Sequence, residues 1–274
     1  MLLFLRRSLV AAEMQGRQLL RRRIALIILV ALPVALYLSM LTNGPEGAIQ
    51  FGALGMAWSV ASAALFSVLA ARSAEPRLVL AGYRPDELML GRFLLLLVIG
   101  VVLAGGGALA MTLVSHPVSE GDLLLACFLV PLVAVPLGLA VAALLPHDLE
   151  GVLVIIGVVG VQLSLNQSAW INALLPLDGP VQIAYSAGGL PANSTELMVV
   201  HALVATAVLL AVAAGVGARR VRVRHPEKHA HHAGGVSTAE ARGSTRTVSQ
   251  APSARLPGGL TPIRIRSDPP EQDR

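Results

Sequence analysis

The sequence predicts an all-α polytopic membrane protein with six transmembrane helices, an N-terminal interfacial amphipathic helix and a re-entrant segment before the last span. Of its 274 residues, 55% are hydrophobic and only 14% are charged, whereas soluble domains are about one quarter charged. Six apolar runs each approach the length of about 20 residues that a helix needs to cross a bilayer. Lysine and arginine are confined to alternate connections between these runs, in agreement with the positive-inside rule.

The charge balance and the single cysteine restrict the function classes further. The net charge is +5, but the arginines flank apolar runs and few aromatic residues lie among them, so we expect no nucleic-acid partner. Cys127 has no second cysteine with which to form a disulfide and no neighbouring metal ligands. We therefore expect neither a metal site nor a cofactor.

The first segment, residues 1–23, has the pattern of an amphipathic helix that lies on the cytoplasmic membrane surface. Apolar residues gather on one side and charged residues on the other: Leu5, Leu9, Ala12, Leu19 and Leu20 against Arg6, Glu13, Arg17 and Arg21. A signal peptide with residues 24–41 as its apolar region is the alternative. It is disfavoured because that run is long for this role and no Ala-x-Ala cleavage site clearly follows it.

The six apolar runs form a transmembrane domain over residues 24–218. They cover 24–41, 51–71, 93–114, 123–145, 151–167 and 197–218, and the fifth becomes polar after Val161. With the N-terminus inside, the outer connections 42–50, 115–122 and 168–196 contain no lysine or arginine, and the inner segments hold all 21. This asymmetry predicts a plasma-membrane protein with both termini in the cytoplasm.

Two segments differ from ordinary loops. Residues 168–196 are rich in apolar residues broken by proline and glycine, which predicts a broken helix that dips back into the outer half of the membrane. An interfacial loop with Trp170 at headgroup level is the alternative. Residues 219–274 begin with an arginine cluster and then lack any apolar period, so they predict a disordered basic cytoplasmic tail.

The connection at residues 72–92 is the most densely charged part between the spans. It carries four arginines and three acidic residues around a short stretch with helical potential. This mixture is typical of a cytoplasmic loop that docks onto a soluble partner.

The residues needed for membrane catalysis or ion coupling are scarce. The predicted spans contain almost no charge, whereas ion-coupled carriers place ionisable residues inside the membrane. Besides the cysteine, His201 is the one ionisable residue within the predicted spans that could take part in ion coupling. It lies near the outer end of the last span, and a polar contact at that position explains its presence better than a proton relay. The chain has no His-Glu-x-x-His helix and no Gly-x-x-x-x-Gly-Lys nucleotide motif. We expect no enzyme activity in the chain, and any ATP hydrolysis to occur on a partner.

The order of these features resembles that in the membrane subunits of type 2 ABC transporters, most of which are exporters. The resemblance covers residues 1 to about 218 and rests on the interfacial helix, the six runs, the charged first inner loop and the segment before the last span. Within the loop it rests on Glu75-Pro-Arg77, Leu80-Ala-Gly82-Tyr83-Arg84 and Leu90-Gly91-Arg92. These motifs are loose, and the combination carries the resemblance.

The resemblance implies a permease subunit of an ATP-driven exporter with an ATP-binding cassette ATPase as a separate partner. Coupling to that ATPase would use Glu75, Arg77, Leu78, Leu80, Gly82, Tyr83, Arg84 and Asp86. A second permease chain, identical or different, would complete the pathway in the lipid membrane. The apolar spans favour an amphiphilic substrate such as a lipid, an antibiotic or a peptide, and the residue composition favours a bacterial source. Residues that could line the route are Gln162, Asn166 and Gln167, although hydrogen bonds between helices explain them equally.

A different class stays open. A non-transporting membrane anchor or assembly factor could recruit cytoplasmic partners through the same basic loop and tail. The polar residues at 162–167 and the apolar segment 168–196 favour a transport pathway over an anchor, but weakly.

Overall fold

A computed structural model of the chain describes residues 2–20, 23–72, 74–145, 147–164 and 170–221. Every regular element within these ranges is a helix, which confirms the all-α class. The predicted tail, residues 219–274, lies outside the described residues from position 222 onward, as do Asn166 and Gln167.

Nine α-helices follow one another along the described chain. They are α1 (Leu2–Leu20), α2 (Arg23–Met40), α3 (Pro45–Ala71), α4 (Glu75–Leu80), α5 (Pro85–Ser115), α6 (Glu120–Leu144), α7 (Asp148–Ser164), α8 (Asp178–Ala187) and α9 (Thr195–Val221). Short 3-10 turns cover Leu41–Asn43 and Trp170–Leu174.

Five of these helices are long and apolar enough to cross a membrane. The corresponding segments are Leu26–Asn43, Pro45–Ala71, Asp86–Ser115, Glu120–Leu144 and Thr195–Gly217. This finding is consistent with a multi-pass membrane protein. The predicted fifth span, 151–167, overlaps α7, which has 17 residues, and residues 165–169 are outside the described chain. The count of six spans therefore stays a prediction.

Two of the long helices begin earlier than the apolar runs indicate. Helix α3 begins at Pro45 rather than near residue 51, and α5 begins at Pro85 rather than near residue 93. Proline suits the first turn of a helix because it has no N–H group to leave unpaired. Acidic residues in the same turns, among them Glu46 and Glu87, interact favourably with the positive end of the helix dipole. The polar starts of these helices thus extend beyond what hydropathy alone detects.

Helix α6 is the centre of the bundle. Within its apolar segment 78% of the residues are buried, against 56% for α3 and 22% for α5 and α9. It packs against α3, α5, α8 and α9. Helices α3, α5 and α9 therefore pack around it, and most residues in the apolar segments of α5 and α9 are not buried, as expected of helices that face lipid.

Close contact between α3 and α6 depends on small side chains. On both helices these residues are buried and recur every four positions: Ala53, Ala57 and Ala61 on α3, and Ala134, Gly138 and Ala142 on α6. A Cβ atom added to Gly138 would overlap the carbonyl oxygen of Ala61. The two backbones therefore touch, and this mode of packing is common between helices in membranes.

The N-terminal helix α1 packs against the beginning of α5. Among the side chains of residues 8–17, the buried ones are small, namely Ser8, Ala11 and Ala12, while Leu9 is 60% exposed. A Cβ atom on Gly91 would lie 2.5 Å from the carbonyl oxygen of Ser8. Helix α1 therefore approaches α5 through its small residues and leaves part of its larger apolar surface uncovered.

Candidate functional site

The eight predicted coupling residues lie together at one end of the bundle. Helix α4 contains Glu75, Arg77, Leu78 and Leu80, and the turn that follows contains Gly82 and Tyr83. Arg84 directly precedes α5, and Asp86 lies in the first turn of α5. The predicted short helical core of the 72–92 segment corresponds to the six residues of α4. The second half of that segment is already helical in α5.

Hydrogen bonds of a Schellman motif end α4. The Tyr83 N–H donates to the carbonyl of Leu78 at 3.1 Å, and the Gly82 N–H donates to that of Val79 at 3.0 Å. Gly82 has a φ of +92°, a conformation that other residues adopt only with strain. The sequence Leu-Ala-Gly-Tyr therefore stops the helix and reverses the chain at a fixed position.

Helix α5 begins immediately after this turn. The Glu87 carboxylate accepts a hydrogen bond from the backbone N–H of Arg84 at 2.9 Å, and Glu87 is buried. A carboxylate in this position satisfies a backbone donor that a helix start leaves unpaired. Only a short turn therefore separates α4 from α5, and both of its ends are held by hydrogen bonds.

An ion pair joins Glu75, the first residue of α4, to Arg92 in the second turn of α5. The Arg92 Nη2 atom lies 2.8 Å from Glu75 Oε1, with the two side chains 6% and 20% exposed. The Nε atom of Arg92 is buried and has no hydrogen-bond partner among the described residues. Glu75 thus neutralises a buried guanidinium, and its carboxylate faces α5.

Arg72 connects the end of α3 to the end of α6. Its Nη2 atom donates to the carbonyl oxygens of Ala142 and Leu145, each at 2.6 Å. The last carbonyls of a helix lack partners within the helix, and a cation there also interacts favourably with the helix dipole. Neither Arg72 nor Arg92 was among the predicted coupling residues, although both are arginines at the edges of apolar runs.

The exposed residues of α4 and of the beginning of α5 include one large apolar and several charged side chains. Leu80 is 81% exposed, and Arg77, Arg84 and Asp86 are also exposed. We call these four residues the α4 tip. A large apolar side chain is therefore exposed on a helix that the buried Glu75–Arg92 pair holds in place.

Of the predicted pathway residues, only Gln162 is described. It lies on α7 and is buried, and both polar atoms of its amide lack hydrogen-bond partners within the described part of the chain. Gly151 of α7 faces Leu65 near the α4 end of α3, and Gln162 is 11 residues farther along the helix, or about 17 Å. The structure therefore does not bring Gln162 together with the coupling residues.

A second polar cluster involves α8, which is almost entirely buried among α3, α6 and α9. Asp178 at its start is buried and hydrogen-bonded to Gln182, with His201 of α9 nearby. Burial raises the pKa of the Asp178 carboxyl, while the bond from Gln182 and the charge of His201 act in the opposite direction. The Nε2 atom of His201 lies 3.0 Å from the carbonyl oxygen of Ala173.

Helix α8 is also anchored at its other end. The Val118 N–H donates to the Ala187 carbonyl at 2.9 Å, and the Ser186 hydroxyl donates to Asp122 Oδ2 at 2.8 Å. Asp178 was not among the predicted site residues. The sequence does contain a signal for it, because Asp178 is an isolated carboxylate, between Leu177 and Gly179, in an otherwise apolar segment.

No group of three or more His, Cys, Asp or Glu side chains in the described residues is arranged to hold a metal ion.

The chain matches no protein-family model, and no curated protein matches it significantly.

Proposed function

We propose that this chain is the permease subunit of an ATP-driven exporter of the type 2 ABC class, with ATP hydrolysed on a separate cassette ATPase. The observation that carries the proposal is the α4 tip. A short helix between two long apolar helices exposes Leu80 and Arg77, and Arg84 is exposed where the next helix begins. Leu80 would enter a groove of the ATPase, and the two arginines would pair with acidic residues at its rim.

The contacts of the segment provide a route for movement. A displacement of α4 would act on α5 through the Glu75–Arg92 ion pair. At the other side of α4, Arg72 joins the end of α3 to the end of α6. Closure of the ATPase subunits would thus move α3, α5 and α6 together instead of bending an isolated loop.

The rest of the proposal concerns the pathway. The domain has six spans if α7 crosses the membrane together with the five longer helices. Helix α8 is the re-entrant segment, and its start lies deeper in the membrane than its end. A second copy or a related chain completes the route for an amphiphilic substrate. The buried Gln162 supports a polar lining, because its amide has no hydrogen-bond partner among the described residues.

The decisive experiment is affinity capture of the tagged chain in mild detergent, with mass spectrometry of the bound proteins. We expect an ATPase subunit, recognised by its own Gly-x-x-x-x-Gly-Lys motif, to accompany the wild type. The double change Arg77→Glu and Arg84→Glu should reduce its recovery at least tenfold. The control is Arg17→Glu with Arg23→Glu, which reverses two exposed arginines outside the α4 tip and should leave recovery unchanged.

A second pair of variants tests the apolar contact. Leu80→Ser should weaken capture of the ATPase, whereas Leu149→Ser should not, because Leu149 is similarly exposed but lies at the start of α7. If neither the wild type nor the control retains an ATPase, the transporter proposal is wrong and the anchor or assembly factor is favoured. Equal retention by all variants would place the docking surface elsewhere.

Orientation is tested separately with single cysteines in a Cys127→Ala background. A membrane-impermeant maleimide applied to intact cells should label Ser194→Cys, and should label Ala81→Cys only after the membrane is opened. Both positions are exposed, so access across the membrane decides the result. The reverse labelling pattern would contradict a cytoplasmic α4.

A further inference from the structure

We infer that the groove between α1 and α5 binds one anionic phospholipid, with an acyl chain along the groove and the phosphate beside Arg17. The groove has a volume of about 330 Å³ and is open on one side. Its lining residues are Leu9, Ala12, Glu13, Gly16 and Arg17 of α1 with Leu94, Leu95 and Val98 of α5.

The groove exists because small residues separate the larger ones. Helix α1 touches α5 where Gly91 faces Ser8 and Ala12. Beyond this contact, Leu9 and Val98 remain 60% and 61% exposed on opposite walls. An extended hydrocarbon chain between them would cover apolar surface that the described part of the chain leaves open.

The position of the groove along α5 fits the boundary between lipid headgroups and acyl chains. The charged residues of α5 all lie at or before Arg92, and none occurs from residue 93 to Ser115. Leu94, Leu95 and Val98 are therefore the first apolar turns after the charged part of the helix. A ligand in the groove lies against apolar side chains of α5 and has the charged residues Glu13 and Arg17 at the α1 rim, which suits an amphiphile.

The polar rim selects for negative charge. Arg17 Nη2 lies 2.6 Å from Glu13 Oε1, and the Arg17 side chain is 76% exposed. A guanidinium has five N–H donors, so this pair leaves donors free for phosphate oxygens. Helix α1 contains three arginines and one acidic residue, and such a surplus attracts anionic lipids.

The test is native mass spectrometry of the full chain, purified in mild detergent from vesicles with equal amounts of dioleoyl phosphatidylglycerol and dioleoyl phosphatidylcholine. The wild type should retain one phosphatidylglycerol in preference to phosphatidylcholine. Soluble glycerol phosphate should not displace it, because the acyl chain supplies part of the binding. Displacement by glycerol phosphate would overturn the lipid assignment.

Two pairs of variants locate the site. Val98→Trp should fill the groove and lower phosphatidylglycerol retention at least fivefold. Val102→Trp is the control, since Val102 is 70% exposed one turn farther along α5 and does not line the groove. Arg17→Gln should lower the preference for phosphatidylglycerol about fivefold, whereas Arg23→Gln should change it less than twofold.

Three further results would overturn the proposal. They are equal retention of the two lipids by the wild type, equal loss in both tryptophan variants, and an unchanged preference in Arg17→Gln. Because both tryptophan positions are exposed, neither change should prevent folding, and size-exclusion chromatography of each variant checks this.

Discussion

The carboxylate of Glu75 and the guanidinium of Arg92 meet at 2.8 Å across 17 residues of chain. This ion pair holds α4 against the helix that follows it. Arg92 is almost completely buried, so its charge depends on Glu75 for compensation. The segment that hydropathy identifies as a loop is therefore held in the helical bundle by this ion pair.

Loss of the Glu75 carboxylate should destabilise the protein. Glu75→Ala leaves the Arg92 charge buried without its acidic partner, and we expect the free energy of unfolding to fall by about 3 kcal/mol. Unfolding in mixed micelles, followed by circular dichroism, measures the change.

The control for this experiment is Glu13→Ala. Its partner Arg17 is at a similar distance, 2.6 Å, but both side chains are largely exposed. An exposed pair contributes within about 0.5 kcal/mol. Equal losses in the two variants would show that burial does not determine the strength of the Glu75–Arg92 pair.

Arg72 should stabilise the bundle through the end of α6. Arg72→Gln removes charged hydrogen bonds to the carbonyls of Ala142 and Leu145, and the expected loss is about 2 kcal/mol of unfolding free energy. Arg77→Gln is the matched control, because Arg77 is exposed on α4 and should change stability by less than about 0.5 kcal/mol. A smaller effect at Arg72 than at Arg77 would contradict the capping role.

Two glycines in apolar helices should respond oppositely to alanine. Gly138→Ala places a methyl group against the carbonyl oxygen of Ala61, so α3 and α6 must separate, at a cost of about 1–3 kcal/mol. Gly105→Ala has no neighbour within 4 Å of the added carbon and should be neutral or stabilising, because alanine is the better helix former. Thermal unfolding in detergent compares them, and a neutral Gly138→Ala would disprove the close contact.

The buried Asp178 should make stability depend on pH. Burial raises the pKa of its carboxyl in the folded protein, so the folded state holds the proton more tightly than the unfolded state. The associated stability is fully present below the usual value of 3.8 and is lost as pH rises through the higher folded-state value. Asp178→Asn should remove this loss and stabilise the protein at neutral pH.

Melting temperatures of wild type and Asp178→Asn across the pH range measure this effect. The two should agree near the ordinary carboxyl value and diverge as pH increases, with the variant the more stable. Asp86→Asn is the control, because Asp86 is exposed at the start of α5. Divergence in the opposite direction would mean that interactions of the ionised Asp178 outweigh its burial.

Much of the architecture was predictable because hydropathy reports directly on burial in a membrane. Long apolar runs predicted the helical class and the approximate positions of the helices. The early starts at Pro45 and Pro85 were missed because polar first turns interrupt the apolar signal. The α4 residues were predictable as a group because mixed charge between two apolar helices is conspicuous in the sequence.

The sequence by itself thus determined the helical class, the positions of the long helices to within about eight residues and the short helix of the 72–92 segment. The tertiary structure alone decided that α6 is central, that Glu75 faces Arg92, that Arg72 reaches the end of α6 and that Asp178 is buried. The physical reason is that hydropathy and helix signals act over neighbouring residues, whereas these pairings join residues that only the packing of helices brings together.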